Sequence, residues 1–223
     1  MSINIITSFY ISYNKQRHEE LMYCLMQNIQ NIFVKKIHLF VDDDNALKVL
    51  NNINNSKIVV VKVGIHAKHS DYFVYASNNL TNEVCMVANS DIIINKMDEK
   101  LLNKVNLNKI CYALTRYEHD MSCPLILQYS GSHDAYIFKS SKLSNNIELI
   151  NYYPNMIGIE TRIIKYMIES GYQVYNPCKQ IIIMHIHKSE VRNYAGDWIG
   201  LHKYGDYNFY KSEWCIQPCT IDI

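Results

Sequence analysis

The sequence predicts an α/β protein built on a largely parallel sheet. Two observations carry this. Short apolar runs recur through the first ninety or so residues, and each is followed by a segment long enough for a helical crossover. The runs are apolar at nearly every position instead of alternating, as expected for strands covered on both faces.

The first such run is Ile3 to Phe9. Arg17 to Ile32 follows, with Leu21, Leu25, Ile29 and Ile32 near helical spacing. Lys36 to Val41 is a second strand, ending in Asp42-Asp43-Asp44. Asn45 to Ile53 is a short helix with Asp44 available as its N-cap. Ile58 to Val63 is a third strand. Ser70 to Asn79 reads as a helix opening on a Ser or Asp cap. Glu83 to Ala88 is a fourth strand, running into Asn89-Ser90-Asp91. Beyond it the pattern changes. Lys109 to Thr115 and Asp134 to Lys139 are strand-like without a clear helix between them. Ile159 to Ser170 is a helix closed by Gly171, and Gln180 to His187 is a last strand. No linker or repeat divides the chain. The expectation is one domain over 1–223, with a nucleotide-binding half (1–95) and an acceptor and catalytic half (96–223).

Composition narrows the function. The 223 residues are 48% hydrophobic and carry a net charge of +1. No global field therefore draws the chain to nucleic acid or an anionic membrane. No apolar run reaches the roughly 18 residues of a membrane span, and the N-terminus lacks the basic region of a signal peptide. Seven cysteines, an odd number at scattered positions, fit a reducing, cytoplasmic setting better than a disulfide framework.

Ligands of open α/β sheets bind at the carboxyl ends of the parallel strands. The polar residues there are Thr7, Ser8 and Tyr10, then Asp42 to Asp44, then Asn89, Ser90 and Asp91. Asp44 suits capping; Asp42 suits either a turn or a base or ribose contact. Neither G-x-G-x-x-G nor G-x-x-x-x-G-K-[ST] occurs, so a diphosphate would need a divalent cation or Arg and Lys. The cationic candidates are Arg116, Lys68, Arg162 and Arg192, each also at home on a surface. Three further features stand out. Ser132-His133-Asp134 feeds a strand. Gly158-Ile159-Glu160 puts an acid at a helix start, where the dipole favours it and capping alone would explain it. His185-Ile186-His187 places two imidazoles on one face, as a metal site or as core histidines.

In order, Arg17-x-x-Glu20-x-x-x-Cys24-Leu25-x-x-Asn28, Asn89-Ser90-Asp91-Ile92, Ala113-Leu114-Thr115-Arg116, Ser132-x-Asp134-Ala135-x-Ile137-Phe138, Gly171-Tyr172-x-Val174-x-Asn176-Pro177 and His185-x-His187-x-Ser189-x-x-Arg192-x-Tyr194 resemble glycosyltransferases of the GT-A fold. More narrowly, they resemble small glycosyltransferase-like proteins of giant viruses and bacteria, a group that includes a chlorovirus rhamnosyltransferase domain acting on capsid protein.

The resemblance implies a parallel Rossmann-like half continuing into a mixed sheet. It also implies Mn²⁺ or Mg²⁺ on Asp91 with His185 or His187, and a nucleotide-sugar donor, UDP-linked by default. Thr7, Ser8, Tyr10, Arg17, Asp42, Lys68, Asn89, Ser90, Asp91 and Arg116 form the donor-binding set. Glu160 is the base, with Asp134 second. A glycan or glycoprotein is the acceptor, in capsid or fibril glycosylation within host cytoplasm. Asn89 departs from the family's Asp-x-Asp, and Ile159-Glu160-Thr161 from the relatives' Cys-Asp-Asn. These departures keep open a catalytically silent module that binds a nucleotide sugar or glycan. A metal-dependent phosphohydrolase would need a denser carboxylate cluster. The aromatic C-terminus (Tyr194, Trp198, His202, Tyr204, Tyr207, Phe209, Tyr210, Trp214) suits a sugar-stacking wall, a tail packed on the core or a homodimer contact; Trp198 is the acceptor-binding candidate.

Overall fold

The computed structural model describes residues 1–127, 131–191, 198–201 and 213–222. In chain order the elements are β1 (Ile3–Ser8), α1 (Lys15–Gln30), β2 (Val34–Val41), α2 (Asp44–Ile53), β3 (Ile58–Lys62), α3 (His69–Asn79), β4 (Val84–Ala88), β5 (Ile92–Lys96) and α4 (Glu99–Leu107). There follow β6 (Ile110–Leu114), β7 (Tyr117–Glu118), α5 (Pro124–Leu127), β8 (Ala135–Lys139), a 3₁₀ turn (Ile147–Ile150), α6 (Ile159–Glu169), β9 (Gln173–Tyr175) and β10 (Ile182–His185).

A seven-stranded sheet runs β3-β2-β1-β4-β8-β6-β9, and a three-stranded sheet runs β5-β10-β7. The first four strands of the large sheet are mutually parallel, while β8 is antiparallel to both β4 and β6. Period-two alternation divides each central strand between two cores. Val84, Met86 and Ala88 of β4 and Ala135 and Ile137 of β8 face the α1, α2 and α4 side. Cys85, Val87, Tyr136 and Phe138 face α3 and α6. Helices on both faces explain why these strands are apolar throughout, and why Cys85 and Cys111 behave as small hydrophobes. Phe73 of α3 stacks on Phe138 at 5.3 Å. No helix among the described residues is long and apolar enough to cross a membrane.

Local chemistry shifts two helix starts. Asp43, not Asp44, caps α2 and accepts from Asn45 N at 2.8 Å. Asp44 already belongs to the helix, which leaves Asp43 in the extended cap position. Lys68 occupies the cap position of α3, and Asp71 reaches back to accept its backbone N–H at 2.8 Å. That contact is the returning half of a capping box. Gly171, at φ 83°, closes α6 as expected.

The small sheet matters for function because its edge strand β5 carries the chain away from Asp91. Helix α1 covers that edge, as exposed strand edges require. Asn28 donates to Ile92 O at 2.9 Å and accepts from Ile94 N at 3.3 Å, and Asn31 donates to Ile94 O at 3.0 Å. Replacing Asn28 with Ala leaves two buried strand groups unpaired, a loss of about 2 kcal/mol. The expected result is a lower urea midpoint at unchanged slope; an unchanged midpoint would show the α1–β5 contact to be dispensable.

Candidate active site

Asp91 ends the turn after β4. Its backbone carbonyl accepts from Ile186 N at 2.9 Å, which ties the turn to the end of β10. The residue is 6% exposed. A carboxylate so buried needs cationic or hydrogen-bonding partners, and Asp91 Oδ2 has three. Arg17 Nη2 of α1 donates at 2.6 Å, His185 Nε2 stands at 3.1 Å and His187 Nδ1 at 3.5 Å. Burial opposes the charge, but the two imidazoles and Arg17 hold the Asp91 carboxyl well below the usual range.

A surrounding layer fixes these partners. Glu20 accepts from Lys188 N at 2.7 Å, Ser189 N at 2.8 Å, Ser189 Oγ at 3.0 Å and Arg17 Nη1 at 3.2 Å, anchoring the loop just after His187. Despite burial, those Ser189 and Lys188 donors keep the Glu20 carboxyl below its ordinary value. Glu118 of β7 lies 3.1 Å from His185 Nδ1 and accepts from Arg116 Nε at 3.0 Å. Arg116 Nη1 in turn donates to Asp134 Oδ1 at 2.7 Å.

These outer contacts decide what the imidazoles present. Val191 O lies 2.7 Å from His187 Nε2. A carbonyl can only accept, so the proton sits on Nε2, and Nδ1 faces Asp91 as a lone pair when the ring is neutral. Glu118 acts in the same way on His185. Ligand atoms of Asp91, His185 and His187 all lie within 4.8 Å of one another. The charges agree with a divalent cation. Among the described residues, the cationic side chains paired with Glu20, Asp91, Glu118 and Asp134 are Arg17 and Arg116, which leaves two negative charges within this group when the imidazoles are neutral. One carboxylate and two imidazoles with their far nitrogens engaged form a donor set suited to a divalent cation.

A crevice beside this cluster is lined by Asn89, His133, Asp134, Glu160 and His69, with Val87 and Ile159 among its apolar wall. Asp134 is tied to Arg116, whereas Glu160, at the start of α6, makes no ion pair among the described residues. Burial, reinforced by the Asp134 charge, pushes the Glu160 carboxyl up to about 7.

A second crevice lies between α1 and the ends of β1 and β4, where Thr7, Ser8, Asn89 and Ser90 line it together with apolar core side chains such as Leu21, Leu25, Leu39 and Met86. Thr7 Oγ1 is buried there without a hydrogen-bond partner. Tyr10, 37% exposed, reaches Arg17. Arg17 itself is buried against Asp91 and Glu20, a partner of the carboxylate and not a free donor-binding cation. Asp42 pairs with His66, and Lys68 Nζ sits 5.5 Å from the Tyr153 ring centroid; neither joins the Asp91 cluster. Arg162 donates to Ile199 O.

Trp198 lies over Gly158 and Gly200 at the start of α6, held by Ile199 N to Ile157 O at 3.0 Å and Leu201 N to Thr161 Oγ1 at 3.0 Å. A Cβ at Gly158 would meet the Gly200 backbone at 2.6 Å, so this approach requires glycine. Trp214 packs on the α3–α6 core. Arg192, Tyr194, His202, Tyr204, Tyr207, Phe209 and Tyr210 lie outside the described residues.

Sequence reasoning missed the roles of Glu118, Glu20 and His69. Glu118 had a signal: it alternates with Arg116 as His185 does with His187.

No protein-family model matches the sequence, and no curated protein matches it significantly. Solved structures do. Residues 1–349 of S. aureus TarS match at TM-score 0.51 and 12% identity, over 83% of this chain and 60% of that one. A mannosyltransferase from Pyrobaculum calidifontis, PcManGT, in complex with GDP-Man and Mn²⁺, matches at TM-score 0.52 and 10% identity, over 85% and 58%. The fold is GT-A. The chain spans about three fifths of the length of these two structures.

The cluster predicts how metal-free stability follows pH. Asp91 and Glu118, against burial, hold His185 protonated up to about 9, from 6.5 ordinarily. That stabilisation is complete below about 6.5 and lost as pH rises through about 9. Glu160, protonated up to about 7 in the fold against 4.5 ordinarily, adds to the decline from about 4.5 to 7. Glu118, pulled down to about 2 by His185 and Arg116, loses its contribution as pH falls from about 4.5 toward 2. In EDTA, Tm should fall from pH 5 to 9, with His185→Gln flattening the alkaline part; a level wild-type profile there would contradict the ion-pair geometry.

Proposed function

We propose that this chain is a metal-dependent, inverting glycosyltransferase that moves a sugar from a nucleoside-diphosphate sugar to a glycan or glycoprotein acceptor. The observation that carries the reading is the Asp91–His185–His187 cluster at the end of β4, beside a crevice holding a carboxyl poised near neutrality. The GT-A fold supports it, as does a structural neighbour holding GDP-Man and Mn²⁺.

Asp91, His185 and His187 would hold Mn²⁺ or Mg²⁺, which supplies Lewis-acid stabilisation of the charge on the departing diphosphate. Thr7, Ser8, Asn89 and Ser90 at the ends of β1 and β4 line the donor side. Glu160 takes the proton of the acceptor hydroxyl as its oxygen attacks the anomeric carbon. The bond to the β-phosphate oxygen breaks on the opposite face, so the configuration inverts. Glu160 suits this task better than Asp134 for two reasons: its pKa stands near working pH, and Arg116 occupies Asp134. Trp198 stands at the same helix start as the acceptor contact. Hexosyl or deoxyhexosyl transfer, a UDP-linked donor and a cytoplasmic site of action complete the reading; for a virus-encoded chain that site is host cytoplasm, and the product a capsid glycan.

Asp91→Asn should abolish transfer and remove the Mn²⁺-dependent rise in Tm with UDP- or GDP-sugars; retained turnover would refute the metal role. His187→Ala should raise the Mn²⁺ needed for half-activity. Glu160→Gln should cut turnover by roughly 10² or more and erase the acid limb near pH 7, leaving donor affinity intact. If Asp134→Asn does this instead, the base is misassigned. Wild-type donor binding without turnover on an acceptor panel would favour the silent binding module.

A further inference from the structure

His69 opens α3 and is 5% exposed, with its ring in the wall of the crevice that holds Asn89, Asp134 and Glu160. Its Nδ1 is buried without a hydrogen-bond partner among the described residues. Burial alone pushes the imidazole down to about 3; no charged group or hydrogen bond contributes. The ring is held in place by its surroundings. His69 N donates to Tyr152 O at 3.0 Å, Ser70 Oγ donates to Asn151 Oδ1 at 3.1 Å, and the ring meets Tyr72 edge-on at 5.9 Å.

Packing alone does not account for an imidazole here. An apolar ring would fill the same space without leaving a polar atom unmet. A neutral imidazole offers one donor and one acceptor, the same pair that a sugar hydroxyl offers. It is poorly matched to a phosphate, which only accepts and calls for cations. The rest of the crevice agrees, with two carboxyl groups, one carboxamide and the His133 imidazole set against Val87, Ile159 and Tyr136.

We propose that His69 is a substrate-binding residue whose imidazole hydrogen-bonds a ring hydroxyl of the sugar seated in the Glu160 crevice. This rests on the glycosyltransferase reading and adds a site for the sugar to it. The hydroxyl belongs either to the donor's sugar or to the acceptor.

Calorimetric titrations of the full chain with Mn²⁺ separate these sources. UDP-glucose and GDP-mannose are compared with UDP and GDP, and methyl α-D-glucoside and methyl α-D-mannoside are titrated onto the nucleotide-saturated protein. His69→Phe should weaken the nucleotide sugars about tenfold while leaving UDP and GDP within twofold, and His69→Gln should recover most of the loss. A loss confined to the methyl glycosides assigns the hydroxyl to the acceptor and upholds the site. Wild-type affinities for both sugar classes in a folded His69→Phe overturn the inference and leave the glycosyltransferase reading intact. Failure of the wild type to bind any nucleotide or nucleotide sugar overturns both. Should His69→Phe not fold, the ring ¹⁵N resonances of wild-type His69 decide: they should shift on saturation with nucleotide sugar or glycoside beyond the shift from nucleotide alone, and no such shift refutes the contact.

Discussion

The site depends on one buried negative charge. At 6% exposure, Asp91 is out of reach of bulk water. Its carboxylate must be met by protein cations and donors. Arg17 comes from α1, and His185 and His187 from the end of β10, so the requirement draws three distant parts of the chain to one point. Each recruited group then needs its own partner. Glu20 binds Arg17 and the loop after His187, and Glu118 binds His185 and Arg116. Removing one member of such a buried pair typically costs about 3–5 kcal/mol, because the other is left uncompensated. The small sheet β5-β10-β7 is thus held to the large one by these charges and by Ile92, Ile94 and Ile183, which join the core beneath α1 and α4.

That arrangement also explains two carboxylates with different behaviour in one crevice. Asp134 sits at the start of β8 within reach of Arg116, Asn89 and Ser132, so its oxygens are occupied. Glu160 starts α6 behind Gly158 and pairs with no cation among the described residues. Burial drives Glu160 toward protonation and the Asp134 charge adds to it, against backbone hydrogen bonds at the helix start. The same helix start is crowded by Gly200 and Trp198, which limits how far the Glu160 backbone can move.

Much of this was legible in the sequence, for physical reasons. Strands buried on both faces leave continuous apolar runs, so β1 to β4 are plain, and a ligand site at their carboxyl ends follows from topology. The His-x-His alternation puts His185 and His187 on one face, and their grouping with Asp91 is what the resemblance to GT-A enzymes implies. What escaped lacks periodicity or length. Strand β7 is two residues long, too short to show a pattern, and it hides Glu118. Helix α4 and β9 fall between stronger signals. Three consecutive aspartates left the α2 cap uncertain by one residue, and Asp43 takes it. The resemblance put Arg17 in the donor-binding set, but nothing in sequence shows that a buried carboxylate waits beside it. His69 belongs to no motif; only the absence of a partner marks it.

The charged contacts form one alternating line: Asp91, His185, Glu118, Arg116 and Asp134, each within 3.1 Å of the next. Glu160 stands beyond its end, and the Asp134 charge raises its pKa while Arg116 lowers it. Glu160 therefore does not titrate in isolation. In an interior where such pairs are poorly screened, a line of contacts with the buried Asp91 carboxylate at one end and a carboxyl near neutrality close to the other behaves as one electrostatic unit. Its members should be altered in pairs when their separate effects are measured.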